Sequence, residues 1–386
     1  MSNTSASGFG LYVHWPFCES KCPYCDFNSH VSAKIDQSKW LDAYLSEIRR
    51  VGSETKDRVL DTVFFGGGTP SLMDPETVSM ILSAVAQTWR CSNDVEITLE
   101  ANPGSVEAGK FREFHAAGVN RLSIGVQSLN DTDLRVLGRM HSAADARRAI
   151  DIAQSTFDRV SFDLIYARQN QTLKSWEAEL DSALVIGTSH LSLYQLTIED
   201  GTVFEQRYKK GLLPGLPNED IGADMYELTQ DICAAHEMPA YEVSNHSKLG
   251  EESRHNLIYW RGGDYAGIGP GAHGRLTLNG YRVATECHRH PNKWLDDVQR
   301  TGTGESLRDT LTTDEVLTEY ILMGLRISDG IKRDRLAELG MDITASTDIR
   351  DLAEAGLIYV DDHTVRASAA GRLVLNSVIQ SLLNKT

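Results

Sequence analysis

Six short β-rich runs, separated by helix-like stretches, constrain the fold of this 386-residue chain more than any other feature. Residues 11–15, 61–65, 95–99, 121–126, 160–165 and 190–196 read as strands. The stretch 36–51 reads as a helix, and 76–89 carries Val78, Ile81, Leu82, Val85 and Trp89 at helical spacing. A strand that alternates with a helix returns to the same side of its sheet, so the repetition predicts parallel pairing. About six such units fit an α/β architecture, an open, partial (β/α)6 TIM-like barrel, whose chemistry gathers at the C-terminal ends of the strands.

Three cysteines follow the first strand. Cys18, Cys22 and Cys25 read C-E-S-K-C-P-Y-C, a C-x3-C-x2-C spacing. Three thiolates this close can hold three irons of a cubane cluster and leave the fourth iron open to a small chelating molecule. A zinc site built from the same cysteines with His14 or His30 is the rival reading. Disulfides are disfavoured, because no apolar leader segment is visible and residues 1–10 are small and polar. Cys91, Cys233 and Cys287 are scattered and read as small buried hydrophobes.

The surroundings narrow the cluster reading. Leu11-Tyr12-Val13-His14-Trp15-Pro16-Phe17 leads into the first cysteine, and Asp26-Phe27 follows the last. The segment Gly66-Gly67-Gly68-Thr69-Pro70 closes the second strand, where glycines let a ligand approach the backbone. Together these residues resemble the radical S-adenosylmethionine superfamily, in the branch of the oxygen-independent coproporphyrinogen III oxidases and the HemW-type haem chaperones. The resemblance implies a [4Fe-4S] cluster on Cys18, Cys22 and Cys25, with S-adenosylmethionine chelating its open iron and cleaved to a 5′-deoxyadenosyl radical. It further implies that Gly67, Gly68 and Thr69 contact the methionine amino group, and that Glu100, Gln127, Arg139 and Asp163 line the cofactor pocket. Tyr12 matches a pocket tyrosine, and Tyr24 is expected against the adenine.

Two differences separate the oxidase from the chaperone. The oxidases place a fourth cysteine two residues after the third, where this chain has Phe27, and they carry a long N-terminal extension. Here the first strand begins at about residue 11. A third clue is His255-Asn256-Leu257-Ile258-Tyr259-Trp260, which resembles the H-N-x-x-Y-W motif associated with haem binding. Histidine is a common axial ligand of haem iron, and Tyr259 and Trp260 offer aromatic surface to a porphyrin. His255, Asn256, Tyr259 and Trp260 are therefore the candidate haem residues. One departure from the family stands after Tyr166, where Ala167-Arg168-Gln169-Asn170 replaces the usual Gly-Leu-Pro.

The expected function is that of a haem chaperone that binds haem and passes it to acceptor apoproteins. The alternative is the radical decarboxylation of coproporphyrinogen III, or another radical reaction on a tetrapyrrole. The resemblance also implies a homodimer and acceptors among membrane-bound respiratory proteins. Net charge is −16, which disfavours nucleic acid as a partner. A reduced cluster and free thiols fit the cytoplasm, at most peripheral at the inner face of the membrane, since no run is apolar enough to span one.

The organisation divides into a barrel over 1–215, a barrel-closing and haem-motif region over 216–310, and a C-terminal domain over 311–386. Residues 201–215 read as a loop, and 218–310 shows little periodicity. From 311 short helices precede a hairpin over 357–366 and a helix from 369, a small α+β, winged-helix-like pattern. This segment holds 8 Lys/Arg against 12 Asp/Glu, net −4, so it reads as a partner-binding or lid module rather than a DNA reader.

Overall fold

The computed structural model describes residues 7–32, 34–104, 108–343 and 346–383. Six strands follow one another in chain order and in space: β1 (Phe9–Trp15), β2 (Val59–Gly67), β3 (Arg90–Ala101), β4 (Arg121–Gln127), β5 (Arg159–Tyr166) and β6 (His190–Gln195). Every neighbouring pair among them is parallel. The helices between them bury one face against the sheet. In Gln37–Thr55 that face holds Trp40, Leu41, Tyr44, Ile48 and Val51, and Asp36 caps the first turn. In Pro75–Thr88 the buried residues Val78, Ile81, Leu82 and Val85 form the expected stripe, and Pro75 occupies the first helical position.

Alternation along each strand sorts the side chains. Leu11, Val13 and Trp15 of β1 are fully buried in the core. The residues between them, Gly10, Tyr12 and His14, face the concave side, where His255 packs beside Gly10 and Tyr12.

The sheet continues past six strands. On one edge β7 (Asn245–Ser247) runs antiparallel to β6. On the other, β8 (Asp264–Ile268) is parallel to β1. It is followed by antiparallel β9 (His273–Leu278), β10 (Tyr281–Cys287) and β11 (Glu305–Thr310). Among the described residues the sheet thus has eleven strands in the order β11-β10-β9-β8-β1-β2-β3-β4-β5-β6-β7, and it remains open.

Two expectations need correction here. The stretch 201–215 contains the helix Val203–Lys209, capped by Thr202, whose Oγ1 accepts from the Glu205 amide at 3.1 Å. Residues 218–310 hold much regular structure, with the helices Glu219–Ala235, Arg254–Trp260 and Pro291–Thr301 and strands β7 to β11. The last of these strands, β11, escaped notice because an edge strand carries polar residues on both faces. Five of the six residues of β11, ESLRDT, are exposed.

The C-terminal segment has its own core of Ile321, Leu325, Ile331, Leu336, Ile349, Leu352, Ile358, Val365 and Val378, among others. Its sheet pairs β12 (Ile331–Lys332), β14 (Thr364–Ala367) and β13 (Ile358–Val360), in that order and antiparallel. Helices Thr313–Gly324 and Leu375–Leu383 cover it, completing a small α+β, winged-helix-like module. No helix among the described residues is long and apolar enough to cross a membrane.

Candidate functional site

Parallel pairing puts the C-terminal ends of β1 to β6 at one rim, and the cysteine loop lies there. Cys18, Cys22 and Cys25 are free, half-buried thiols. The Thr69 hydroxyl donates to the Cys18 Sγ at 3.4 Å, and an Arg139 Nη donates to the Cys22 Sγ at the same distance. Asn102 joins the two donors. Its Nδ2 donates to the Thr69 Oγ1 at 3.1 Å, and its Oδ1 accepts from Arg139 at 2.6 Å. Arg139 also holds the Gly125 carbonyl at 2.8 Å. The cysteine loop is thereby tied to the ends of three strands by charge-assisted bonds. Burial raises the Cys18 and Cys25 thiols, while Thr69 pulls Cys18 and the Phe27 amide pulls Cys25 the other way.

The residues fit a cluster better than a single ion. Among the described residues no three His, Cys, Asp or Glu side chains converge closely enough to hold one metal ion. A cubane binds each thiolate through a different iron, so its ligands stand further apart than those of one zinc. His14, the rival fourth ligand, is occupied: its Nδ1 lies 3.0 Å from the Tyr12 hydroxyl and its Nε2 3.0 Å from the Asn28 carbonyl. Burial lowers the His14 imidazole to about 4, with the Asn28 carbonyl opposing. The Nε of Arg139 is buried without a partner beside the same loop. The glycines are required by contact. A Cβ on Gly68 would stand 2.6 Å from the Phe17 carbonyl oxygen. Gly67, at φ +113°, has no room against the His14 ring.

Inside the barrel two carboxylates face each other's field. Glu100, near the end of β3, accepts from the Gly67 amide at 3.1 Å. Burial first, then the charge of Asp163, pushes the Glu100 carboxyl up to about 8. Burial pushes Asp163 on β5 up to about 6, opposed by the Ser192 hydroxyl and by Arg121 and Arg139. Both side chains keep part of their surface open although they lie deep in the protein. Tyr194 on β6, beside Asp163, remains 41% exposed. The interior at this level is therefore an open space rather than a packed core. Gln127 ends β4 with φ +70°, and its amide lies over Gly125 next to Arg139. Tyr24 packs edge-on against Phe204 with centroids 6.2 Å apart and adjoins Cys22 and Arg139.

Tyr12, Tyr24, Gly67, Gly68, Thr69, Glu100, Gln127, Arg139 and Asp163 thus gather at one rim and the space beneath it. Asn102 and Tyr194 belong to the same constellation and were missed. Asn102 stands two residues after Glu100 in a strand-end sequence, which was the available signal. Tyr194 had none, because a tyrosine in a β-rich run reads as core.

The second candidate motif lies on the helix Arg254–Trp260, below that rim. His255 is 1% exposed and stacks on Phe64 and Tyr12. Its Nδ1 meets the Thr62 hydroxyl at 2.7 Å, and its Nε2 meets the Tyr259 hydroxyl at 2.6 Å. Burial lowers this imidazole to about 3. Both nitrogens are engaged with hydroxyls in this arrangement. The ring packs into the barrel wall beside Phe64 and Tyr12. Asn256 and Trp260 are half-buried on the same helix, and the Trp260 indole N–H is buried without a partner. Tyr259 opens onto a groove of about 1320 Å³ between this helix and the C-terminal module.

The altered loop after β5 is well anchored. Ala167 and Asn170 adopt φ +57° and +58°, the left-handed region. The buried Arg168 guanidinium binds Glu179 and Asp133, the latter at 2.9 Å.

Comparison with known proteins agrees with these observations. The model of the Radical SAM superfamily matches residues 12–183, and that of the HemN C-terminal domain matches residues 311–374. The chain is 36% identical to the heme chaperone HemW of Escherichia coli, over 97% of each chain. It is 35% identical to that of Bacillus subtilis, over 97% of this chain and 99% of the relative. It is 40% identical to the mitochondrial radical S-adenosyl methionine domain-containing protein 1 of Bos taurus, over 97% of this chain and 87% of the relative. The structure of coproporphyrinogen III oxidase (HemN) from Escherichia coli superposes with a TM-score of 0.82 at 20% identity, covering 99% of this chain and 92% of that one.

Proposed function

We propose the function of a haem chaperone for this chain, which belongs to the radical S-adenosylmethionine superfamily and, within it, to the family of the HemW proteins. The observation that carries the reading is the pairing of a complete three-cysteine rim with Phe27, 60% exposed where the oxidases place a fourth cysteine. Members of this superfamily hold a [4Fe-4S] cluster with S-adenosylmethionine, which supplies reductive cleavage of the sulfonium when bound.

The chain's own residues have separable tasks. Cys18, Cys22 and Cys25 ligate the cluster, and Thr69 and Arg139 stabilise the thiolate charge on two of them. Gly67, Gly68 and Thr69 leave room for the methionine end of the cofactor. Glu100 and Asp163, carried in an enclosed space, accept hydrogen bonds from ammonium or ribose groups and become fully charged when those arrive. Tyr12, Tyr24 and Gln127 shape the remaining walls. The helix carrying His255, Asn256, Tyr259 and Trp260 links this space to the haem-binding side, since His255 touches Tyr12 on one face and Tyr259 at its Nε2.

We assign the barrel to residues 1–215, the closing region to 216–310 and the C-terminal domain to 311–386. Haem would leave for acceptor apoproteins, including membrane-bound respiratory proteins, from a cytoplasmic protein that docks peripherally and forms a homodimer. The test against the oxidase supplies the cluster-reconstituted protein anaerobically with reductant, S-adenosylmethionine and coproporphyrinogen III. Deoxyadenosine without decarboxylated porphyrinogen supports the chaperone. Protoporphyrinogen formed over many turnovers would make the protein an oxidase.

A further inference from the structure

Asn102 follows β3 and stands between the two side chains that reach the cysteines, and its amide can face them in only one way. A guanidinium donates and never accepts, so the atom toward Arg139 must be the Asn102 oxygen, as in their 2.6 Å bond. The Nδ2 is thereby turned to the Thr69 Oγ1, 3.1 Å away, and donates to it. The Thr69 hydroxyl has a single proton, which is left to point at the Cys18 Sγ, 3.4 Å away. Arg139 thus sets the direction of every bond in the chain from Arg139 through Asn102 and Thr69 to Cys18. Its other Nη donates to the Cys22 Sγ at 3.4 Å.

Asn102 is itself held. Its backbone N–H donates to the hydroxyl of the fully buried Ser71 at 3.4 Å. Without its side chain the Thr69 proton can turn away from Cys18. Arg139 would keep the Gly125 carbonyl but lose the nearer of the two oxygens that hold the same Nη. Donors and positive charge beside cluster thiolates favour the form that carries the extra electron. The partners that orient such donors tune the metal group without touching it.

Resting on the assignment of Cys18, Cys22 and Cys25 as cluster ligands, we propose that Asn102 is a positioning residue for the cluster. It aims Thr69 at Cys18 and Arg139 at Cys22, and through these two donors it raises the potential at which the cluster accepts an electron.

The test is a redox titration of the full chain after anaerobic cluster reconstitution. It uses dithionite without S-adenosylmethionine and reads the paramagnetic resonance of the reduced cluster. Asn102→Ala should make the one-electron reduction about tenfold less favourable, a fall of about 59 mV. That fall should shrink when Thr69→Val is already present, because part of the effect passes through the Thr69 proton. A potential equal to wild type, or a fall of the same size in the Thr69→Val background, would overturn the proposal. Should the alanine variant hold no cluster, Asn102→Asp decides. It still accepts from Arg139 but takes the Thr69 proton from Cys18, so its potential should also fall, and by less when Thr69 is valine. An unchanged potential in Asn102→Asp, or a fall that Thr69→Val leaves the same, would likewise overturn the proposal. A wild-type chain that forms no cluster would overturn the ligand assignment itself.

Discussion

The Nδ1 of His255 lies 2.7 Å from the hydroxyl of Thr62, so the haem-motif helix is bolted to the second barrel strand through a buried bond. Thr62 is itself fully buried. Replacing it by valine keeps the shape and removes the partner. The imidazole then stays buried with one nitrogen unsatisfied, which costs about 1–3 kcal/mol. Urea denaturation of Thr62→Val should show a loss of that size. An unchanged midpoint would mean that His255 is not locked as described.

Ala167 offers a prediction of the opposite sign. It holds φ +57° where the family usually has glycine. Glycine adopts that conformation without a Cβ penalty, so Ala167→Gly should stabilise the protein by about 1 kcal/mol. Thermal unfolding would reveal it, and a destabilised variant would contradict the assigned backbone.

The cysteine rim makes a spectroscopic prediction. Cys22→Ser removes the thiolate that Arg139 supports. After anaerobic reconstitution this variant should lack the broad visible absorption of a [4Fe-4S] cluster while keeping its circular dichroism. Full cluster absorption in a folded Cys22→Ser protein would exclude Cys22 as a ligand.

Glu100 and Asp163 set a pH dependence. Their carboxyls are raised to about 8 and about 6 in the fold, above ordinary values of about 4. The folded state therefore holds these protons more tightly than the unfolded chain. The associated stability is complete below about pH 4 and is lost as pH rises through about 6 and then about 8. Without cluster or cofactor, the urea midpoint should fall between pH 6 and pH 8.5, and Glu100→Gln should flatten that fall. An equal slope in the variant would place the effect elsewhere.

Much of this was legible in the sequence. The six parallel strands were visible because each is a short β-rich run set between helix-like stretches, and the cysteine spacing and the glycine segment are local. What local reading lacked was depth. Arg139 is expected in the pocket from the resemblance, yet its bond to a cysteine 117 residues earlier is visible only in the fold. His255 is read by its type, while its bond to Thr62, 193 residues away, is visible only in the fold. Strand β11 was missed because a polar edge strand carries little hydrophobic pattern, and β7 and β8 because they are only three and five residues long.

The most direct measurement of the central claim is haem transfer. The full chain, loaded with one equivalent of hemin, would be mixed anaerobically with an apo-cytochrome of b type, and the acceptor's own spectrum would be followed after separation. The account predicts that the acceptor gains its holo spectrum faster from the loaded protein than from free hemin at the same concentration. A loaded protein that keeps its haem, or delivers it no faster than free hemin does, would contradict it.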